Sequence, residues 1–122
     1  MREILFRGKR KVNEEWVYGF PFVSRKGEYK IKWYDPHYGS AKTSEVYPET
    51  IGQFIGLTDK NGKKIFEGDV VDVEGVAYRC RWDDGNFEFG LVNEIESFGI
   101  VYATHSIEVI GNIYDNPELL EV

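Results

Sequence analysis

The sequence predicts a mainly β protein made of many short strands separated by tight turns. Two observations support this. Apolar side chains alternate with polar ones at every second position in stretches such as Val76–Trp82. Turn-forming residues recur between such stretches, as in Asp59–Gly62 and Asp83–Asn86. Since no long amphipathic helix is visible, the pattern is typical of an all-β barrel or sandwich.

Length and composition favour a globular protein with one core. The chain has 122 residues, of which 42% are hydrophobic and 16% aromatic, enough apolar volume for a core without disulfides or metals. Cys80 is the only cysteine, which excludes an intramolecular disulfide and a cysteine-based zinc site. A charged N-terminus without a signal-peptide pattern, and the lack of any apolar window of about 20 residues, lead us to expect a cytoplasmic protein.

The first half of the chain predicts three strands. Glu3–Phe6 precedes a charged reversal at Gly8–Glu15, and a strand at Trp16–Val23 follows. Because Pro21 lacks an amide hydrogen, we expect this strand to lie at a sheet edge or to end near Pro21, with its aromatic face packed inward. The next strand, Glu28–Tyr34, is expected to bury one face and expose the other. The inward aromatic face would hold Trp16, Tyr18, Phe20 and Phe22.

The segment Asp35–Pro48 has no strand periodicity and contains two prolines, a glycine and several small polar residues. We interpret it as the longest irregular segment of the chain. Such segments lie at the surface and often carry function, so it is predicted to be a linker or a functional loop.

The stretch Ile51–Val73 is the clearest hairpin. Strands are predicted at Ile51–Leu57 and Ile65–Val73, with a turn at Asp59–Gly62 between them. Asp69 follows Gly68 at a bend, where a carboxylate commonly accepts hydrogen bonds from turn amides, and we expect that structural role for it. Glycines within these strands indicate bends of the kind found in small barrels.

The remaining strands follow the same logic. Val76–Trp82 and Phe87–Val92 form a second hairpin, and further short strands are predicted at Ile100–Ala103 and Ser106–Ile113, before a helical turn near Pro117. Within the last of these strands, Ile110–Ile113 could pair with Ile51–Phe54 and close a barrel.

No stretch carries a catalytic, metal or cofactor signature. The phosphate-binding and nucleophile-elbow glycine patterns are missing, and Asp59–Gly62 lacks the acid spacing of a calcium loop. His37 and His105, the only histidines, have no neighbouring ligand set, and Cys80 lies on a face predicted to be buried. We therefore predict no enzymatic activity, no catalytic or metal-binding residue and no cofactor.

Charge and aromatic residues favour a binding role instead. Residues 1–50 hold 10 Lys and Arg against 7 Asp and Glu, giving +3, whereas residues 51–122 hold 5 against 14, giving −9. The basic residues could attract an acidic partner or another copy of the chain, or could simply be solvated hairpin tips. The ring-bearing residues in and beside the Asp35–Pro48 segment could bind bases or a protein, or could belong to the core. The predicted binding residues are Arg7, Lys9, Arg10, Lys11, Arg25, Lys26, Trp33, Tyr34, His37 and Tyr38.

Three segments resemble one known family, the YopX family of small phage and prophage proteins. They are IGQFIGLTDKNGKKIFEGDVV at Ile51–Val71, IEVIGNIYDNPELL at Ile107–Leu120, and REILFRGKRKVNEEWVYG at Arg2–Gly19. The resemblance implies a phage or prophage origin and an SH3-like barrel in the C-terminal part. It implies no activity and no site residues.

Taken together, we expect an SH3-like barrel at residues 50–122, with N-terminal β-hairpins at residues 1–49 packed on it. The predicted function is that of a phage accessory protein that acts as a non-enzymatic protein-interaction module, whose partner is another copy of the chain or a host or phage protein. The alternative is a small barrel that binds nucleic acid through the basic residues and the Trp33–Tyr38 segment. No membrane partner is expected.

Overall fold

The computed structural model describes residues 3–100 and 106–120, and it confirms the mainly β class. Two short 3₁₀ turns lie at Pro48–Thr50 and Pro117–Leu120. Within the described residues none of the helices is long and apolar enough to cross a membrane. The strands are β1 Phe6–Lys9, β2 Trp16–Val23, β3 Tyr29–Asp35, β4 Ser40–Glu45, β5 Gly52–Thr58, β6 Lys64–Phe66, β7 Asp69–Val73, β8 Val76–Asp83, β9 Glu88–Val92, β10 Ser97–Gly99 and β11 Ile107–Asn112.

The strands form two antiparallel sheets, in the orders β4-β3-β2-β1-β5-β6 and β10-β9-β8-β7-β11. No closed barrel is present in residues 3–100 and 106–120, so the predicted SH3-like barrel is not observed there. The chain forms two compact units, Met1–Phe54 and Ile55–Val122, and β5 runs across their boundary. The division predicted at residue 50 stays a prediction.

In the first unit, β1 to β4 follow one another as an antiparallel meander. An isolated bridge joins Arg10 to Val46 and brings the end of β4 back beside the end of β1. The Tyr47 amide also donates to the Lys9 carbonyl at 2.9 Å. Ile31 and Val46 are fully buried in this unit. The bridge and this hydrogen bond connect the two ends of the meander.

Strand β2 changes its partner at Gly19. It pairs with β1 through Trp16–Gly19 and with β3 through Phe20–Val23. A Cβ atom at Gly19 would lie 2.1 Å from the carbonyl oxygen of Lys32, so only glycine permits this approach of the β3 backbone. Pro21 lies in the half of β2 beyond its pairing with β1, where a missing amide hydrogen is tolerated.

Two predictions about the first unit are wrong. The aromatic row of β2 does not pack inward, because Tyr18, Phe20 and Phe22 are exposed. The segment Asp35–Pro48 is not irregular, because β4 occupies Ser40–Glu45 and pairs with β3 over its full length. The sequence pattern does not indicate this strand, because its residues are mostly polar. Positions of a strand that face solvent need no apolar side chains.

In the second unit, the five-stranded sheet buries one continuous apolar cluster. The hairpin of β8 and β9 is confirmed, and Tyr78, Cys80 and Leu91 lie in the cluster. β11 pairs with β7 and not with β5, so the pairing proposed to close a barrel is wrong. The other buried members are Ile55, Ile65, Val71, Ile100 and Ile107.

The predicted strand Ile65–Val73 is divided into β6 and β7 by a bend at Gly68, whose φ of 94° lies in the left-handed region. Asp69 is 2% exposed, and its Oδ2 accepts a hydrogen bond from the Phe66 amide at 2.7 Å. The structural role expected for this carboxylate is confirmed. Residues 101–105, which include His105 and most of the predicted strand Ile100–Ala103, lie outside the described residues.

Asp59 joins the turn after β5 to β11. Its Oδ1 accepts hydrogen bonds from the amides of Asn61 and Lys63, and its Oδ2 accepts one from the amide of Val109, each at 2.9 Å. Burial by itself would raise the pKa of Asp59, but the three amide donors outweigh burial and hold the pKa below its ordinary value of 3.8. The turn therefore depends on the charged form of one carboxylate.

We expect Gly19→Ala to lower the free energy of unfolding by about 1–3 kcal/mol, because the added methyl group forces the β3 backbone away from β2. Urea unfolding followed by tryptophan fluorescence measures this. The matched control is Gly27→Asn, at a turn position with open space around its Cβ and a φ of 82° that asparagine tolerates. The control should stay within about 0.5 kcal/mol of the native protein, and equal stability of both variants would contradict the close approach.

We expect Asp59→Asn to cost about 1–3 kcal/mol at neutral pH, because the asparagine amide group cannot accept both sets of backbone hydrogen bonds. In the native protein this contribution is complete above pH 3.8 and is lost as the pH falls through the lower pKa of folded Asp59. Unfolding measured from neutral to acidic pH should therefore show a shallower acid loss for the variant. Asp84→Asn, at an exposed turn position, is the control and should keep the native profile.

Candidate functional site

The predicted site residues His37 and Tyr38 lie in the turn between β3 and β4. Their rings meet edge to face with centroids 4.8 Å apart. The Lys42 ammonium lies 4.1 Å from the centre of the Tyr38 ring and 3.1 Å from a carboxylate oxygen of Asp35. The hydrogen bond from Lys42 is the main cause that lowers the pKa of Asp35. These side chains interact with one another and stabilise the turn.

The basic residues near β1 also contact their own unit. Arg7 is 6% exposed, and its guanidinium carbon lies 4.6 Å from the centre of the Trp16 ring. Arg10 donates from Nε to the Ser44 hydroxyl at 2.9 Å. Lys11 forms an ion pair of 3.0 Å with Glu45, and this hydrogen bond is the main cause that raises the pKa of Lys11.

Lys9 is half-buried, and Arg25 and Lys26 are exposed in the turn between β2 and β3. The Arg10 guanidinium lies 6.0 Å from the centre of the Trp33 ring, and Trp33 itself is half-buried. The structure thus divides the predicted binding residues among two turns, a set in and directly after β1, and strand β3. Of the ten, Trp33 and Tyr34 line one shared groove.

A different set of side chains forms the most distinctive surface of the first unit. Phe20 lies directly opposite Lys32, and Phe22 directly opposite Lys30, on adjacent strands. Side chains paired in this way point to the same face of the sheet. The rings of Tyr18, Phe20, Phe22 and Tyr34 are 40% to 65% exposed. We call this surface the aromatic-lysine face; its members are Tyr18, Phe20, Phe22, Lys30, Lys32 and Tyr34.

A groove of about 400 Å³ opens on this face. Tyr18, Phe20 and Tyr34 form its apolar walls, and Lys32 brings a positive charge to it. Gly19 also lines it, at the point where β2 changes partner. The groove can therefore accept a flat apolar group, with a cation available beside it for an anion.

Sequence reasoning found the period-two aromatic row but assigned it to the interior. Alternation shows that one face differs from the other, yet it does not show which face is covered. A usable signal was present on the neighbouring strand. Lys30 and Lys32 fall opposite the rings once the two strands are paired around the Arg25–Gly27 turn, and lysines on that face argue for exposure.

The Asp83 carboxylate and the Cys80 thiol both have structural surroundings. Asp83 accepts hydrogen bonds from the Gly85 amide and the Asn86 side chain, at 3.0 and 2.9 Å. The bond from Asn86 is the main cause that lowers the pKa of Asp83. Cys80 is buried. In the part of the chain that the structure describes, no three His, Cys, Asp or Glu side chains gather as a metal site.

Comparison with known proteins agrees with the resemblance seen in the sequence. The family model described as YopX protein matches residues 5–121. The chain belongs to the YopX family. Among solved structures, this YopX protein is similar to the crystal structure of protein EF1440 from Enterococcus faecalis, with 23% identity and a TM-score of 0.59. The match covers 99% of this chain and 100% of that one, and it supports the fold alone. No curated protein matches the chain.

We expect Arg10 to stabilise the folded protein through its hydrogen bond to Ser44. Arg10→Ala and Ser44→Ala should each lower the free energy of unfolding. A double-mutant cycle should give a coupling of about 1 kcal/mol, as for a partly exposed hydrogen bond to a charged group. Urea unfolding of the four proteins measures it. Zero coupling, with native stability in Arg10→Ala, would contradict this role and leave Arg10 available for a ligand.

Proposed function

We propose that this YopX protein is a non-enzymatic module that binds single-stranded nucleic acid on the aromatic-lysine face. The observation that carries the proposal is the placement of Phe20 opposite Lys32 and Phe22 opposite Lys30, with the rings exposed. The face offers stacking surfaces and positive charge, and it contains no nucleophile beside a base. A phage or prophage setting and a cytoplasmic location are part of the same proposal.

The geometry suits an extended strand of nucleotides. Phe20 and Phe22 are two positions apart on β2, which separates them by about 7 Å along the strand. Successive unstacked bases can each use one ring, and stacking on an aromatic side chain is tolerant of sequence. Lys32, opposite Phe20, is then positioned to meet the phosphate that follows, and Lys30, opposite Phe22, can do the same by leaving its 4.0 Å ion pair with Glu28.

Charge restricts this binding to the first unit. The first 50 residues carry a net +3, whereas residues 51–122 carry −9. An acidic surface repels a phosphate backbone, so the ligand would contact few cations in total. We therefore expect weak binding with a small salt dependence, and no wrapping of a long strand around the protein.

A protein-interaction module is the second candidate, and the exposed rings and the 400 Å³ groove favour it. The lysines of the face distinguish nucleic-acid binding from protein binding. It is depleted in the centres of protein-protein interfaces, whereas it commonly contacts phosphates. The two lysines lie beside the rings rather than at the rim of the face, and this supports nucleic acid over protein.

The proposal is tested by fluorescence anisotropy with labelled single-stranded DNA and RNA of mixed sequence. Phe20→Ala and Phe22→Ala should each weaken binding by about 5- to 150-fold, the loss expected for one stacked base. The logarithm of affinity should fall with the logarithm of salt at a slope of about −1.4, because two lysines each contribute about −0.7. Lys32→Gln should reduce that slope by about half.

The matched control is Tyr29→Ala. Tyr29 is exposed to 45%, comparable to Phe22, but its position in β3 alternates with Lys30 and Lys32 and places it on the other face. The control should bind as the native protein does. Loss of binding in Tyr29→Ala equal to that in Phe22→Ala would contradict the assigned face. No salt-sensitive binding of the native protein would overturn the nucleic-acid proposal and leave the protein-interaction candidate.

A further inference from the structure

A second surface, in the second unit, is independent of the aromatic-lysine face. Two adjoining cavities of about 280 and 290 Å³ share Asn93, Glu94 and Leu120. They lie among the turn after β7, the loop after β9 and the C-terminal 3₁₀ turn. We call them together the C-terminal groove. Its apolar lining consists of Val76, Ala77, Val92, Ile95, Leu119 and Leu120.

Ile95 is one of the residues that line this groove, and its side chain is 88% exposed. The loop that carries it is held in place, because Asn93 Oδ1 accepts hydrogen bonds from the amides of Ile95 and Glu96 at 2.9 and 3.0 Å. The Asn93 amide group in turn donates to the Ala77 carbonyl at 3.2 Å. Tyr78 also donates a hydrogen bond to the Glu96 carboxylate. An isoleucine is thus exposed on an ordered loop next to an apolar groove.

The charges of the groove have both signs. Arg79 and Glu94 line the same cavity. Within residues 3–100 and 106–120, neither side chain has an ion-pair partner among the observed salt bridges. Ile95, the groove and one charge of each sign therefore lie on one patch. A two-fold interface uses the same patch on both copies, so each of these features can meet its complement on the other copy.

We propose that the C-terminal groove binds a second copy of this chain. Ile95 of each copy enters the groove of the other, and Arg79 of each copy pairs with Glu94 of the other. Burying one isoleucine per copy removes apolar surface from water and so favours association. The net −9 of residues 51–122 opposes association, but charges beyond the Debye length of about 8 Å are screened at physiological salt. The dimer is weak and reversible, as is usual for a small interface.

Sedimentation velocity at physiological salt tests the proposal, at protein concentrations from about 10 µM to about 1 mM, where a weak interface forms. The native protein should shift from monomer to dimer across this range. Ile95→Glu should abolish the shift. Phe87→Glu is the matched control, because Phe87 is an 81% exposed apolar residue in a turn of the same unit but outside the groove. It should dimerise like the native protein.

Charge reversal identifies the two-fold pairing. Arg79→Glu and Glu94→Arg should each weaken self-association about tenfold or more, because each creates two like-charge contacts per dimer. An equimolar mixture of the two variants should form heterodimers, and the double variant should dimerise again, because both restore opposite charges at both contacts. Thermal unfolding verifies that each variant is folded.

Three results would overturn the proposal. They are a native protein that stays monomeric at all concentrations, an Ile95→Glu variant that dimerises normally, and a mixture of the two charge variants that fails to associate. The first rules out a second copy as the occupant, the second rules out the groove as the interface, and the third rules out the two-fold arrangement. None of these results bears on nucleic-acid binding by the first unit.

Discussion

The close approach of β3 to Gly19 is the constraint on which the proposed binding face depends. Because position 19 has no side chain, the Lys32 carbonyl can lie where a Cβ atom would otherwise be, and β2 passes from β1 to β3 at that point. The pairing of Phe20 with Lys32 and of Phe22 with Lys30 follows from this register. A shift of one residue would move the rings to the other face.

The second unit depends on carboxylates that accept backbone hydrogen bonds. Asp59 connects the turn after β5 to β11, and Asp69 fixes the bend between β6 and β7. Each satisfies amides that would otherwise be costly to bury. The irregular backbone between short strands therefore accounts for the positions of Asp59 and Asp69.

The two surfaces differ in chemistry. The aromatic-lysine face combines rings with cations, which suits an anionic and partly aromatic ligand. The C-terminal groove combines aliphatic side chains with one charge of each sign, which suits a copy of itself. Membership of the YopX family and the likeness to protein EF1440 establish the kind of fold, and they assign neither surface. The physical properties of each surface carry its proposal.

The sequence by itself determined the β class, the turn at Asp59–Gly62, the hairpin of β8 and β9 and the structural role of Asp69, because turn chemistry and period-two alternation are local properties. It could not determine which face of β2 is covered, that Ser40–Glu45 is a strand, or that β11 pairs with β7. Those features depend on which distant segments pack together. Arg7 and Phe20 illustrate the difference: the cation is buried and the ring is exposed, the reverse of what either residue type suggests.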